Sequence, residues 1–382
     1  MSRVAVTALA ITLLAAGCGS DREPAAASVD EKALNWGNYP TVPRDMAALA
    51  DAESGAVQES IRLAEHVPLP MEIDSRLTAR QSASALTPSS LPNVKGFASG
   101  APGLVAGWQT FAQRGSDAAL GLDLSVSHSI ARFDSREHAV RAMNFMADTV
   151  DPEYPNQGPL TVPGYGDARA VLGFLDAVKV WLAYDDYVIW LRLSHQIAAP
   201  DGPAPLLDLA ERLIDKQIEL LRSYQPTPVD RLGEVPADID GLRGRALPDD
   251  NQRLRVKSGI YSARAALHTQ TDPGRSRRAF TEAGVDLVAT EYATLYRTAG
   301  ADEARGLAAN FLAELSAKYT AADSPLGLPT AQCLRITDPE SYANPHVCYL
   351  VYDRYVAEVY ATQQQDLHQR VSAQYLLLAH GQ

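Results

Sequence analysis

The chain has 382 residues, with 46 Asp and Glu against 34 Lys and Arg and a net charge of −12. An acidic surplus with no concentrated basic face argues against a nucleic-acid binder. With 46% apolar and 21% charged residues, the chain can bury ordinary cores, and its length suggests two or three domains.

The first residues read as an address. Arg3 supplies a short basic start, and an apolar run from Val4 to Ala16 follows. That run falls short of the roughly 20 residues that span a bilayer, so 1–17 reads as a signal peptide. Gly17, Cys18, Gly19 and Ser20 come next. Small residues directly before a Cys at this depth resemble the lipobox of bacterial lipoproteins, in which the Cys sulfur takes a diacylglycerol and becomes the new N-terminus. The competing reading is an ordinary cleaved signal with an incidental Cys. Residues 18–33 are small and polar, as in a flexible tether.

Residues 34–98 form an N-terminal extension that matches nothing later. A helix is expected over 53–67 and a loop over 81–93. The first repeat copy, 99–225, opens with a strand over 122–133. A helix follows, with Ala139, Ala142, Met143, Met146 and Ala147 on one side. Asp134 and Glu137 are spaced as a capping box. Three strands come next, ending in the hairpin "WLAYDDYV" at 181–188, and a helix over 205–224 closes the copy. Residues 226–258 read as a linker.

The second copy, 259–382, repeats this plan. "YLVYDRYV" at 349–356 lies over 181–188 without a gap, and 290–314 lies over 124–148 with Asn144-Phe145 on Asn310-Phe311. A third match sets Phe111–Gly115 on Phe280–Gly284. Three matches in one order at offsets of 166 to 169 indicate a tandem duplication, since a solenoid would need at least three units. The expected fold class is α+β: two β-α-β-β-β-α units, each a mostly antiparallel sheet with helices packed on one face. A single strand is expected over 287–298, and a final helix over 366–379. The first domain therefore covers 34–225 and the second 259–382.

With Cys18 assigned to lipid, Cys333 and Cys348 remain. Two cysteines in an exported protein pair as a disulfide. A zinc site is the alternative, with only His346 nearby as a further ligand. No spacing for a serine-hydrolase elbow, a zinc protease, a phosphate loop or a dinucleotide fingerprint occurs. The sequence thus offers no catalytic residue, metal site or cofactor. The repeated Tyr184, Tyr187, Tyr352 and Tyr355 have two readings. They close hairpins by cross-strand packing, or they line a ligand groove where the copies meet.

The lipobox, the opening "NWGNYPTVPR" at 35–44 and the paired units resemble an uncharacterised family of two-domain lipoproteins from actinobacteria related to Nocardia and Rhodococcus. That resemblance brings no catalytic residues. A looser likeness to the extracellular sensor domains of mycobacterial Ser/Thr kinases implies a meander with a disulfide, matched by Cys333 and Cys348; the first copy has Val180 opposite Cys348. The expected protein is lipid-anchored at the cytoplasmic membrane on its extracytoplasmic face. It would bind or sense an envelope glycan, lipid or protein. An envelope scaffold and, further off, an envelope hydrolase are the alternatives.

Overall fold

The computed structural model describes residues 29–115, 122–149, 153, 155–197, 202–248, 257–338 and 345–380. Residues 1–17, expected to be a signal peptide, Cys18 and most of the expected tether at 18–33 lie outside them.

Among the described residues, fourteen strands form two seven-stranded sheets with antiparallel pairing throughout. The first holds β1 (Leu77–Leu86), β2 (Leu104–Arg114), β3 (Ser125–Phe133), β4 (Gly158–Val162), β5 (Tyr165–Leu172), β6 (Val178–Tyr184) and β7 (Tyr187–Ser194). The second holds β8 (Gly259–Ser262), β9 (Leu287–Thr290), β10 (Thr294–Arg297), β11 (Tyr319–Ala322), β12 (Gln332–Ile336), β13 (His346–Tyr352) and β14 (Tyr355–Ala361). Read from corresponding edges, the orders are β1-β2-β3-β7-β6-β5-β4 and β8-β9-β10-β14-β13-β12-β11. The two topologies are the same.

The helices repeat the correspondence. After α1 (Ala52–Ala64), α2 (Pro70–Ile73) and α3 (Phe97–Gly100), helix α4 (Arg136–Asp148) follows the third strand and α5 (Ala204–Leu221) follows the last. The second half has α6 (Ala263–Ala266) and α7 (Pro273–Glu282), then α8 (Ala301–Leu315) and α9 (Gln364–Ala379) in the places of α4 and α5. The α+β class and the doubling therefore hold.

The unit is larger than the sequence indicated. β1 falls partly in the expected loop because, among the described side chains, only Ala83 and Ala85 are buried between Leu77 and Leu86 at its ends, and the rest of the strand is largely polar. The single strand expected over 287–298 is the hairpin β9–β10. No Gly or Pro marks its turn at 291–293, and Thr290 pairs with Thr294. The match of Phe111 to Phe280 fails, since Phe111 lies in β2 and Phe280 in α7. The cap of α4 is Ser135, whose hydroxyl accepts from the His138 amide at 3.2 Å, not Asp134.

Helices cover both faces of each sheet, not one. On β6, Trp181 and Ala183 pack in a cluster with α4, while Val178, Val180 and Leu182 join the α5 side chains. On β13, Tyr349 faces α8 while Cys348 and Leu350 face α9. Strands apolar on both sides need cover on both sides. Phe145 and Phe311 occupy equivalent places. Phe145 shares the α4 cluster with Trp181, and Phe311 stacks on Tyr349, Trp181's counterpart, at 5.5 Å. A Cβ at Gly100 would lie 2.1 Å from the Phe145 ring, so glycine there gives that ring its seat.

One hydrophobic cluster runs across the seam from α5 and β2 to Tyr261, Phe280 and α8. Helix α1 is its wedge. At Gly55 it meets the 229–234 backbone so closely that a Cβ would lie 1.9 Å from the Leu232 carbonyl oxygen. Gln58 donates to the Ile260 carbonyl at 2.6 Å and accepts from its amide at 3.0 Å, covering the outer edge of β8. The buried Glu59 accepts from Tyr224 at 2.6 Å, from the Thr227 amide at 2.7 Å and from Arg62 at 2.5 Å, which compensates its charge. Arg264 of α6 reaches back to Glu72 of α2 at 2.7 Å. Leu242, Ala246 and Leu247, from the stretch that joins the two halves in the chain, are buried in the second half's core against α9.

Cys333 and Cys348 face each other across β12 and β13 and are bonded through sulfur. Both sulfurs are thereby withdrawn from metal ligation. Closing a loop with a sequence separation of 15 contributes roughly 3 kcal/mol in the chain-entropy account.

Candidate functional site

The strand alternation that turns β10, β13 and β14 toward α8 also assembles a row of polar side chains. Thr290 pairs with Thr294, Thr294 with Glu358, and Glu358 with Tyr349, so one rung across β9, β10, β14 and β13 carries all four. They line a cavity of about 300 Å³. Tyr296 and Tyr360 stand two positions along their strands, on the same face. Phe311, Glu314 and Leu315 of α8 cover the cavity, and Ser82 and Ala83 of β1 close it from the first half. The cavity therefore lies at the seam between the copies.

Its centre is the Glu358 carboxylate. Tyr349 and Tyr360 donate to Glu358 Oε1 at 2.6 and 2.7 Å, and Tyr296 donates to Oε2 at 3.1 Å. Burial, and then the adjacent carboxylate, push all three phenols well above their ordinary range. Gln270 Nε2 donates to the Tyr296 oxygen at 3.4 Å, and Gln270 Oε1 accepts from Ser276 at 3.3 Å. Burial raises the Glu314 carboxyl, and the Arg275 charge, 3.9 Å away, opposes this. The Arg275 guanidinium is engaged with Asn310 at 2.9 and 3.0 Å.

The same rung in the first sheet carries Ser129, Trp190 and Trp181. There the two indoles pack against the α4 cluster. The second copy has Glu358 and Tyr349 in their places. A charged residue at an inward strand position, between Val356 and Tyr360, is the signal in the sequence that marks this site.

The four tyrosines named from the sequence lie elsewhere. Tyr184 pairs with Tyr187, and Tyr352 with Tyr355, across the two hairpins. The intervening Asp185 and Asp353 have φ of 50° and 48°, as tight hairpin turns require. The first pair joins the seam cluster and the second the α9 cluster, where Tyr352 meets Tyr375 edge-on. The structure brings each pair together but not the four, and none of them lines the cavity. Among the described residues, no group of three or more His, Cys, Asp or Glu is arranged to hold a metal ion. No helix among them is long and apolar enough to cross a membrane.

Fold and site together define a two-domain α+β protein of duplicated antiparallel sheets, with a polar cavity at the seam built mainly on the second sheet. The family described as "Domain of unknown function (DUF7373) N-terminal" matches residues 46–237, and its C-terminal counterpart matches 242–381. The chain belongs to this DUF7373 family. No curated protein matches it. Among solved structures, the extracellular domain of PknH from Mycobacterium tuberculosis shows a weak likeness. It has 11% identity and a TM-score of 0.29, and the match covers 42% of this chain and 96% of that one.

Proposed function

We propose that this protein is a lipid-anchored, extracytoplasmic binding or sensing protein of the bacterial cell envelope, and that the seam cavity holds its ligand. The cavity carries the reading: a site of about 300 Å³ with aromatic walls and convergent polar groups has the make-up of a small-molecule pocket. Binding is favoured over chemistry because the phenols, pushed far above neutrality, stay protonated against Glu358 and are not poised as acid or base. The apolar run ending at Gly17-Cys18 supports the anchor.

Two readouts test this. Wild-type protein should fractionate with membranes and take up an acyl label, and Cys18→Ser should do neither; an unlabelled wild type would remove the anchor. Soluble Cys18→Ser protein should be stabilised against heat by at least one of a panel of envelope sugars, amino sugars and lipid headgroups. Adding Thr294→Trp, which fills the cavity, should abolish that shift. A shift that persists in the filled variant would place the ligand elsewhere.

A further inference from the structure

We infer that the seam cavity selects a small molecule bearing a protonated amine. The inference rests on the cavity being the ligand site, as proposed above. It follows from what the lining groups have left to offer. Tyr349 and Tyr360 each have one proton, and both protons are directed to Glu358 Oε1 at 2.6 and 2.7 Å. The Tyr296 proton goes to Oε2. A phenol has one donor and acceptor lone pairs, so toward the cavity Tyr349 and Tyr360 present lone pairs. Gln270 directs its amide NH2 to the Tyr296 oxygen at 3.4 Å and to the Ala266 carbonyl at 3.5 Å, so its donors are engaged as well.

Charge points the same way. Glu314 and Glu358 both line the cavity, and Asp272 adds to the negative field at Glu314. Arg275 lies 3.9 Å from Glu314, and its Nε and Nη2 donate to Asn310. Lys257 also lines the site, but it is exposed to solvent. Hydroxyls of Ser82, Thr271, Thr290 and Thr294 also line the cavity and can donate as well as accept, so the bias is one of charge: an anion would meet two half-buried carboxylates, with the exposed Lys257 as the lining cation. An ammonium group offers three donors and a positive charge. Glu314 is the group that best receives it, since its acceptor capacity is the least used.

The divergence of the copies is a separate observation. The equivalent rung of the first sheet is filled by Trp181 and Trp190. The fold therefore accepts a packed apolar solution at this place, and the second copy instead keeps an open acidic one. Open space in a core costs stability, so the cavity is a feature the second copy carries against its own packing.

The test compares glucosamine, N-acetylglucosamine and glucose, alike in ring and different in the amine, with putrescine as an amine on an aliphatic chain. Titration of soluble Cys18→Ser protein at neutral pH should show glucosamine or putrescine binding at least about tenfold more tightly than glucose, a difference of about 1.4 kcal/mol. Adding Glu314→Gln should erase that preference while the melting temperature of the free protein changes little. Glucose or N-acetylglucosamine binding as well as the amines, and being lost on Thr294→Trp, would overturn the amine assignment and leave the cavity as the site. Amine binding that survives Thr294→Trp would overturn the cavity reading itself. No binding by either amine would also overturn the assignment.

Discussion

Replacing Trp108 by alanine is expected to cost about 3–5 kcal/mol, out of a total stability of about 5–15 kcal/mol for a typical domain. Trp108 belongs to β2, in the first sheet, and is wholly buried. Its ring meets Tyr261 edge-on at 6.2 Å and His268 at 5.9 Å, both from the second half. Aromatic pairs in this geometry contribute beyond the area they bury. The loss should therefore reach both halves. Denaturant unfolding followed by far-ultraviolet circular dichroism measures the drop. Hydrogen exchange should show protection falling in β8 and α6 as well as in β1 and β2. A loss confined to the first sheet, or a cost below about 1 kcal/mol, would contradict the shared core.

Acid should weaken the protein well above the pH at which carboxylates titrate. His128 is fully buried, and burial, helped by the nearby His268, pushes its imidazole down to about 3. Burial, and then the Arg264 charge, push His268 down to about 4, with Glu72 acting against this. In the unfolded chain both take a proton near 6.5. Between these values the unfolded state binds more protons than the folded one, so stability falls as pH falls. Each histidine contributes about 1.4 kcal/mol per pH unit below 6.5, so the pair removes roughly 4 kcal/mol between pH 7 and pH 5. Glu314, raised by burial, acts with the opposite sign. Carboxylates held low by arginine, such as Asp286 beside Arg297, add their loss only near and below about pH 4.

Urea titrations across this range measure the slope. His128→Leu should halve it. It should also preserve or raise stability at pH 5, because neither ring nitrogen of His128 has a hydrogen-bond partner among the described residues, and an apolar replacement leaves nothing unpaired. A slope unchanged in His128→Leu would rule out this origin.

The doubling was legible because two features survived divergence together. Asn-Phe on α4 and α8 and the Tyr-Asp-x-Tyr hairpin each sit where packing or turn geometry restricts the choice of residue. The cysteine pair was legible from the cysteine count together with the expectation of export. β1 was not, because a strand whose buried side chains between Leu77 and Leu86 are alanines has little periodic contrast. The cover on both faces was legible in principle: Val178 to Ala183 is nearly all apolar, a pattern that a half-exposed strand does not show.

The cavity was the hardest part to read. Thr290, Thr294, Tyr349 and Glu358 come from four strands, and only the register across β9, β10, β14 and β13 brings them into one row. That register follows from the pairing of the third strand with the last, which no local signal encodes. A comparison of the copies would still have flagged the place, since Trp190 and Glu358 stand at the same position and only one of them suits a core.

Calorimetric unfolding of the Cys18→Ser chain tests most directly whether a single core joins the copies. A shared core through α1, Trp108 and Tyr261 predicts one transition, with agreement between its calorimetric and van't Hoff enthalpies. Two separable transitions, one for each sheet, would contradict it.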